Sequence, residues 1–410
     1  MRIARPVIAR AFQVLWVAGV LAGALTCSAR PAVAQDAPEL NARAWVLVDV
    51  ADGEVLETRR KAKSYPIASA TKLMTAYVAR RELRLAEEVV APAYVAAAAE
   101  SLLGLEEGER IEVRDLLYGL VLASGNDAAV ALAEAAAGSL DAFVRKMNSG
   151  ARRLGLDDSS FSNPIGLDEP GNFSSAADLV ELTLELRRDR VFRRIFDAPS
   201  ATLRSGARAR TVVNRNTLVR SVPFVTGVKT GYTIGAGYVL VGSAARDGVS
   251  LVSTVLGAPS EAARDAETLE LLEYGFSLYR ERQPVRARER LAAPELHDQS
   301  EALPLVAARG VRLTVRRDQR VDTRVRAPEE VEGPIERGER LGEVVVTVDG
   351  ERAASVPLAA ARAAPAASLL ERFDGSVPGP RAVAWIVAIA GLGALFIAAL
   401  VVFDRRRSRR

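Results

Sequence analysis

Hydrophobic and polar positions follow three patterns along this chain, and each marks a different part of it. The first is an unbroken apolar run near either end. Ala11 to Leu25 lies behind Arg2, Arg5 and Arg10, and Ala32-Val33-Ala34 precedes Gln35. A basic start, an apolar middle and an A-x-A site predict a secretory signal over 1–34. Ala382 to Phe403 is a run of 22 residues without a charge. At ~1.5 Å per residue such a helix is about 33 Å long, enough for a ~30 Å hydrocarbon layer. Arg381 precedes it and five arginines fall within 404–410. That asymmetry predicts one membrane span with the short tail 404–410 in the cytoplasm and Trp385 at the outer interface.

The second pattern is a mixture of helical and strand periods over 41–282. Ala44–Val50 and Glu54–Thr58 flank Ala51-Asp52-Gly53, which predicts a β-hairpin with glycine where positive φ is needed. Leu73 to Leu85 has a helical stripe at Leu73, Tyr77 and Val78. Val113 to Ala137 is helical too, with its period broken at Ser124-Gly125-Asn126. Polar side chains between two apolar helices lie at depth, where each needs a partner. Asp141 to Leu154 predicts a helix ended by Gly155, and Ser175-Ala176-Ala177-Asp178 starts another that reaches about Arg187. Val225–Thr230, Gly237–Ala244 and Val249–Leu256 predict strands whose weak alternation implies cover on both faces. Glu261 to Tyr279 closes this part as a helix. Helices interleaved with late antiparallel strands indicate an α+β domain.

The third pattern begins at Gln283. Short strands such as 311–315 and 342–348 alternate with turns, including Asp349-Gly350, and predict a small β-rich domain over 283–358. Residues 359–381 are rich in Ala and Pro and end in Pro378-Gly379-Pro380, which predicts a linker to the span.

Composition changes the picture in three ways. The net charge of +4 comes from the ends: without 1–34 and 404–410 the body keeps 46 basic against 50 acidic residues, so nothing argues for a nucleic-acid partner. The one cysteine, Cys27, lies in the predicted signal, which leaves the mature body without disulfides, thiol catalysis or cysteine-bound zinc. The one histidine, His297, lies in the β-rich domain, which excludes a Ser-His-Asp triad and a histidine zinc site from the main domain.

Lysine is the informative cation. Only Lys61, Lys63, Lys72, Lys146 and Lys229 occur among 55 basic residues, and the other 50 are arginine. Arginine keeps its proton in a protein, whereas a desolvated lysine can lose it. Lys72 follows Ser69 by three positions at a helix start, so the amine and the hydroxyl share one face. A serine becomes a nucleophile when a base sits within hydrogen-bond reach. Without histidine that base is lysine, carboxylate or water.

Three motifs then fall in order: S-x-x-K at Ser69 to Lys72, S-G-N at Ser124 to Asn126 and K-T-G at Lys229 to Gly231. They resemble the signature set of penicillin-binding proteins and serine β-lactamases, with S-G-N in place of S-D-N. Between Ala44 and Tyr279 the chain resembles the low-molecular-mass D-alanyl-D-alanine carboxypeptidases. The resemblance is carried further by Asp115-Leu116-Leu117-Tyr118-Gly119-Leu120, Lys146-Met147-Asn148, Asn163-Pro164 with Gly166-Leu167-Asp168, Asn214-Arg215-Asn216 and Gly235-Ala236-Gly237-Tyr238. It implies a transpeptidase-like fold and no cofactor or metal. It also implies peptidoglycan stem peptides as substrate, β-lactams as covalent ligands, and a site facing the cell wall from the outer side of the membrane.

The resemblance also implies roles. Ser69 attacks the carbonyl between two D-alanines, Lys72 takes its proton and Ser124 relays a proton to the leaving group. Asn126 holds the substrate amide, and Lys229 and Thr230, joined by Arg215, hold the terminal carboxylate. The backbone N–H groups of Ser69 and Tyr232, which follows Gly231, form the oxyanion hole. Two departures bear on specificity: Tyr232 stands where histidine or threonine is common, and Asn172 to Asp178 lacks a customary histidine and arginine. The alternatives are a class A-like β-lactamase, for which no E-x-x-L-N follows the S-G-N motif, and a non-catalytic penicillin-binding sensor, against which the three intact motifs argue.

Overall fold

The computed structural model describes residues 36–297, 301–366, 384–385, 387–393 and 395. The predicted signal, the tail 404–410 and much of the predicted linker and span lie outside them. Among the described residues no helix is long and apolar enough to cross a membrane.

The first domain is built on a five-stranded antiparallel sheet. Its strands are β1 (Ala44–Asp49), β2 (Val55–Arg59), β3 (Val225–Thr233), β4 (Gly237–Arg246) and β5 (Val249–Ala258), in the spatial order β2-β1-β5-β4-β3. The predicted N-terminal hairpin thus joins the late strands through β1, with Trp45 opposite Val255 and Leu47 opposite Ser253. Both faces are covered, which is why alternation is weak in the sequence. Trp45, Leu47, Leu240, Leu251 and Val255 pack on one side, and Val46, Val48, Val239, Val241 and Val252 on the other.

Eight helices accompany the sheet among the described residues: α1 (Lys72–Glu82), α2 (Val113–Tyr118), α3 (Asn126–Ala137), α4 (Leu140–Leu154), α5 (Ala176–Arg188), α6 (Arg190–Asp197), α7 (Leu218–Ser221) and α8 (Glu261–Ser277). Helix α8 covers the first face through Leu271, Leu272 and Phe276. The other helices gather around α1 and α3 on the second face. Their ends follow local chemistry. Ser139, Ser175 and Ser260 accept the N–H of Ala142, Asp178 and Ala263 at 3.2, 3.1 and 3.1 Å, capping α4, α5 and α8. Gly155 ends α4 at φ +68, as its position predicts. The sequence reading missed α6, because only Asp189 separates it from α5.

The second domain is β-rich. Five strands run in the order 290–292, 305–307, 351–360, 340–348, 321–326, closed over Leu305, Val344, Val346, Val356 and Leu358. The predicted Asp349-Gly350 turn joins the two longest, with both residues at positive φ. The β structure extends beyond 283–358 on both sides. Strand 279–285 already pairs with 311–316, one strand continues to Ala360, and Ala364 bridges to Ile335. The domains meet where the Tyr279 hydroxyl donates to Asp49 and Thr314 Oγ1 donates to the Asp247 carbonyl at 2.8 Å.

Candidate active site

Ser69 sits in a 3-10 turn, Ala68–Thr71, that runs straight into α1. Ala68 carries φ +48, a left-handed conformation that costs a residue with a Cβ on the order of 1 kcal/mol. Lys72, the first residue of α1, is fully buried and its Nζ donates to Ser69 Oγ at 3.1 Å. The same amine donates to the Ile165 carbonyl. Burial pulls the Lys72 pKa from 10.5 to about 7. The Arg215 charge acts in the same direction, and Glu100 and Asp127 oppose it.

The turn that offers the Ile165 carbonyl is shaped by Asn163. Its Oδ1 accepts the N–H of Ile165 at 3.2 Å and of Gly166 at 2.6 Å. Pro164 O in turn accepts Thr75 Oγ1 from α1 at 2.6 Å. Gly166 has φ +91, and a Cβ there would meet Ala68 O at 2.1 Å, so only glycine lets this turn reach the serine.

Ser124 enters from a different direction. After α2 the chain widens into a π-helical turn, Gly119–Ala123, and Ser124 itself is left-handed at φ 62, ψ 30. The helical period therefore fails five residues before the predicted break. Ser124 Oγ accepts Lys229 Nζ at 2.9 Å, and Lys229 also donates to the Thr230 carbonyl at 2.7 Å. Lys229 is nearly inaccessible, and its pKa lies well below the usual lysine value through burial first and then the Lys72 and Arg215 charges. It comes from the middle of β3, whose next residues pass beside the serine. A Cβ on Gly231 would meet Ser69 N at 3.0 Å. The strand backbone and the Ser69 N–H are thus adjacent.

Ser69, Asn126, Glu100, Asp168 and Tyr232 line one cleft of about 460 Å³; Lys72 adjoins Ser69, Lys229 bonds both Ser124 and the Thr230 carbonyl, and Gly231 passes beside the Ser69 backbone. Its chemistry is that of a hydroxyl nucleophile beside a desolvated amine, with a second amine–hydroxyl pair next to it. Among the described residues no cluster of His, Cys, Asp or Glu could hold a metal ion. His297 faces Glu330 at 2.5 Å in the β-rich domain.

The chain also matches known families. The family model described as D-alanyl-D-alanine carboxypeptidase matches residues 31–260, and that of the penicillin-binding protein 5 C-terminal domain matches 281–366. D-alanyl-D-alanine carboxypeptidase DacF of Bacillus subtilis is 32% identical over 330 residues, 78% of this chain and 85% of the relative. Penicillin-binding protein 6B of Escherichia coli superposes with a TM-score of 0.59 at 30% identity, over 79% of this chain and 97% of that one. A mutant of the Streptomyces K15 DD-transpeptidase (TM-score 0.56, 32% identity) is covered completely but spans 59% of this chain. The chain belongs to the D-alanyl-D-alanine carboxypeptidase family.

Four features distinguish this carboxypeptidase-family cleft. Tyr232 is 55% exposed and packs its ring against Tyr238 with centroids 4.3 Å apart, at the cleft mouth. Arg215 is exposed and makes no side-chain hydrogen bond among the described residues. Its backbone is fixed by Leu122 O, which accepts its N–H at 3.1 Å, and by the flanking Asn214 and Asn216 turns. The segment that lacks the customary histidine and arginine docks behind the serine: Asn172 Nδ2 lies 3.4 Å from Thr71 Oγ1, and Ser174 pairs with Tyr65.

The fourth feature escaped the sequence reading. Residues 91–105 form a loop without helical or strand period, and Asp127 holds it. The Asp127 carboxylate accepts the N–H groups of Leu103, Gly104 and Leu105 at 2.8, 2.8 and 3.0 Å, and Asn126 N donates to Ser101 O at 2.8 Å. The loop thereby brings Glu100 to Asn126, whose Nδ2 donates to Glu100 Oε2 at 2.7 Å. Tyr94 OH donates to the same oxygen and Ala97 N to Oε1 at 2.9 Å. Burial pushes the Glu100 pKa up, but these three hydrogen bonds and the Lys72 charge outweigh it and hold the carboxyl below its usual range.

Proposed function

We propose that this protein is a serine-type D-alanyl-D-alanine carboxypeptidase that removes the terminal D-alanine from peptidoglycan stem peptides through a Ser69 acyl-enzyme, and that β-lactams acylate the same serine. The observation that carries the reading is the 3.1 Å contact between Lys72 Nζ and Ser69 Oγ at a lysine with no exposure and a pKa near 7. A lysine neutral at that pH is a base of matched strength for a serine hydroxyl.

The steps follow. Lys72 takes the Ser69 proton as Oγ attacks the carbonyl of the penultimate D-alanine. The oxyanion accepts hydrogen bonds from Ser69 N–H and Tyr232 N–H, and each such donor contributes about 3 kcal/mol in enzymes of this kind. Ser124, hydrogen-bonded to Lys229, passes a proton to the departing D-alanine nitrogen. Water then cleaves the ester and regenerates Ser69. Asn126 holds the amide before the scissile bond. Lys229, Thr230 and Arg215 receive the terminal carboxylate, whose arrival restores the charge on Lys229 that burial disfavours. The apolar runs at 11–25 and 382–403 support a body exported across the membrane and held on its outer face by one C-terminal span. In that setting the β-rich domain spaces the cleft from the membrane.

Fluorescent penicillin is expected to label the protein and a D-Ala-D-Ala peptide to lose one D-alanine, and Ser69→Ala to abolish both. Labelling that survives this substitution sinks the assignment.

A further inference from the structure

The open part of the cleft beside Ser69 is acidic. Lys229, hydrogen-bonded to Ser124, and Arg215, whose charge acts on Lys229, lie on the side of the S-G-N and K-T-G motifs, whereas Lys72 sits on Ser69 itself. Among the residues that line the open part none is basic, and two are acidic, Glu100 and Asp168. Neither carboxylate has a cation in salt-bridge contact among the described residues; Asp168 accepts Thr233 Oγ1 at 2.7 Å and Gly235 N at 2.9 Å. Glu100 is the better placed. Its three donors are neutral, and a carboxylate accepts about four hydrogen bonds, so one acceptor position remains. Those donors fix its direction, and the Asp127 clamp fixes the loop beneath it. Tyr94 stays a donor, because burial and the Glu100 carboxylate push its phenol up.

We infer that Glu100 selects stem peptides bearing a free side-chain amine on the residue that precedes the two D-alanines. This rests on the carboxypeptidase reading above. In that reading Asn126 holds the backbone amide of that residue, and Glu100 is one hydrogen bond of 2.7 Å from Asn126. A side chain leaving that backbone on the open side of the cleft meets Glu100 within the reach of a lysine or a diamino acid. An ammonium there completes the carboxylate with a charge-assisted hydrogen bond, the stronger kind. The peptide then matches the site at both ends, with its terminal carboxylate on Lys229, Thr230 and Arg215 and its amine on Glu100. Acylation of the amine removes the charge and leaves Glu100 desolvated without a cation.

The test compares two tripeptides, Nα-acetyl-L-lysyl-D-alanyl-D-alanine with its ε-amine free or acetylated, by D-alanine release at neutral pH. The full chain is expected to favour the free amine by about 10-fold or more in kcat/KM, as charge-assisted hydrogen bonds do. Added salt should shrink the preference. Glu100→Gln, which retains an oxygen for Asn126, should bring the ratio of the two substrates close to one. Labelling by fluorescent penicillin reports whether that variant is folded. Equal rates for both peptides on the unaltered protein overturn the amine selection alone. A preference that persists in a labelled Glu100→Gln protein overturns the role of Glu100. No release from either peptide overturns the carboxypeptidase reading, and the selection with it. Should Glu100→Gln not label, Glu100→Ser replaces it, and a free-amine preference that persists in that labelled variant likewise overturns the role of Glu100.

Discussion

In the β-rich domain every buried side chain among the described residues is apolar, from Val285 to Ala364. The domain before it buries Lys72, Thr75, Ser124, Asn126, Asp127, Lys229 and Thr230 as well as its aliphatic core. Both fold around sheets with similar apolar strands, so the contrast is not one of architecture. Burying a polar group costs free energy unless it is hydrogen-bonded, and burying a charge costs more. A domain with only a mechanical task has no reason to bear that cost. In the first domain one set of buried polar groups lies at or beside the cleft, where Ala68 and Ser124 are left-handed, and another, such as the Glu109–Arg210 pair, is satisfied elsewhere. At the cleft that cost includes two desolvated amines, Lys72 and Lys229.

The contrast breaks most completely at Lys72. Lys72→Met keeps the apolar stem and removes the base. Penicillin labelling and D-alanine release should fall by about 10³-fold, in the range that a general base contributes. Thermal unfolding should move upward by a few degrees, because the desolvated amine is gone. A variant that loses activity and stability together would show that Lys72 supports the fold rather than burdening it.

Next in size is the pH dependence. In the proposed mechanism neutral Lys72 is the base, and its pKa is about 7. Acylation should therefore fall about tenfold per unit below pH 7 and level off above it. The stability effect has a definite sign. Lys72 is released from about 7 in the fold to an ordinary lysine value on unfolding, so between those pH values the unfolded chain holds more protons. This residue then makes unfolding harder as pH rises from about 7 toward 10, and Lys72→Met should remove that slope. Stopped-flow acylation and denaturant titrations across the range measure both.

How much of this was legible in the residues themselves differs from group to group. Ser69, Lys72, Ser124 and Lys229 could be read because their chemistry is rare in this chain: lysine is scarce, and the main domain holds no histidine and no cysteine. The α+β class could be read because helical periods are interleaved with late strands that read as antiparallel neighbours. The β-rich domain could be read from its turns, though its edges run past 283 and 358. The two-sided sheet left almost no alternation, so its order and its union with the N-terminal hairpin needed coordinates. Glu100 and Tyr94 had no signal at all. They lie in a loop whose shape comes from Asp127, more than twenty positions away, and no local period records such a contact.

Asp127 sharpens the comparison at a smaller scale. It is a buried carboxylate with no salt-bridge partner among the described residues, placed in the first turn of α3, where the helix dipole favours negative charge. Asp127→Asn replaces one acceptor oxygen by a donor that faces backbone N–H groups. The change should cost about 2 kcal/mol. It should also lower kcat/KM by roughly tenfold, because the loop that sets Glu100 against Asn126 loosens. Protease cutting within 91–105 should rise in parallel. Lost activity with an unaltered loop would separate Asp127 from the role given to it.

The smallest effect on catalysis is expected in the other domain, where it carries the most weight for the contrast. Val344 is fully buried in the β-rich core and touches none of the cleft residues. Val344→Ala leaves a cavity there and should cost about 2 kcal/mol of local stability. If the two domains divide mechanical and chemical tasks, kcat/KM for a soluble peptide should stay as it is while the β-rich domain unfolds at a lower temperature. The contacts of Tyr279 with Asp49 and of Thr314 with Asp247 are the route by which a disturbance could still travel between them. A fall in kcat/KM with Val344→Ala would mean that this junction holds the β1–β2 hairpin, and through the sheet β3 and Lys229, in their working positions.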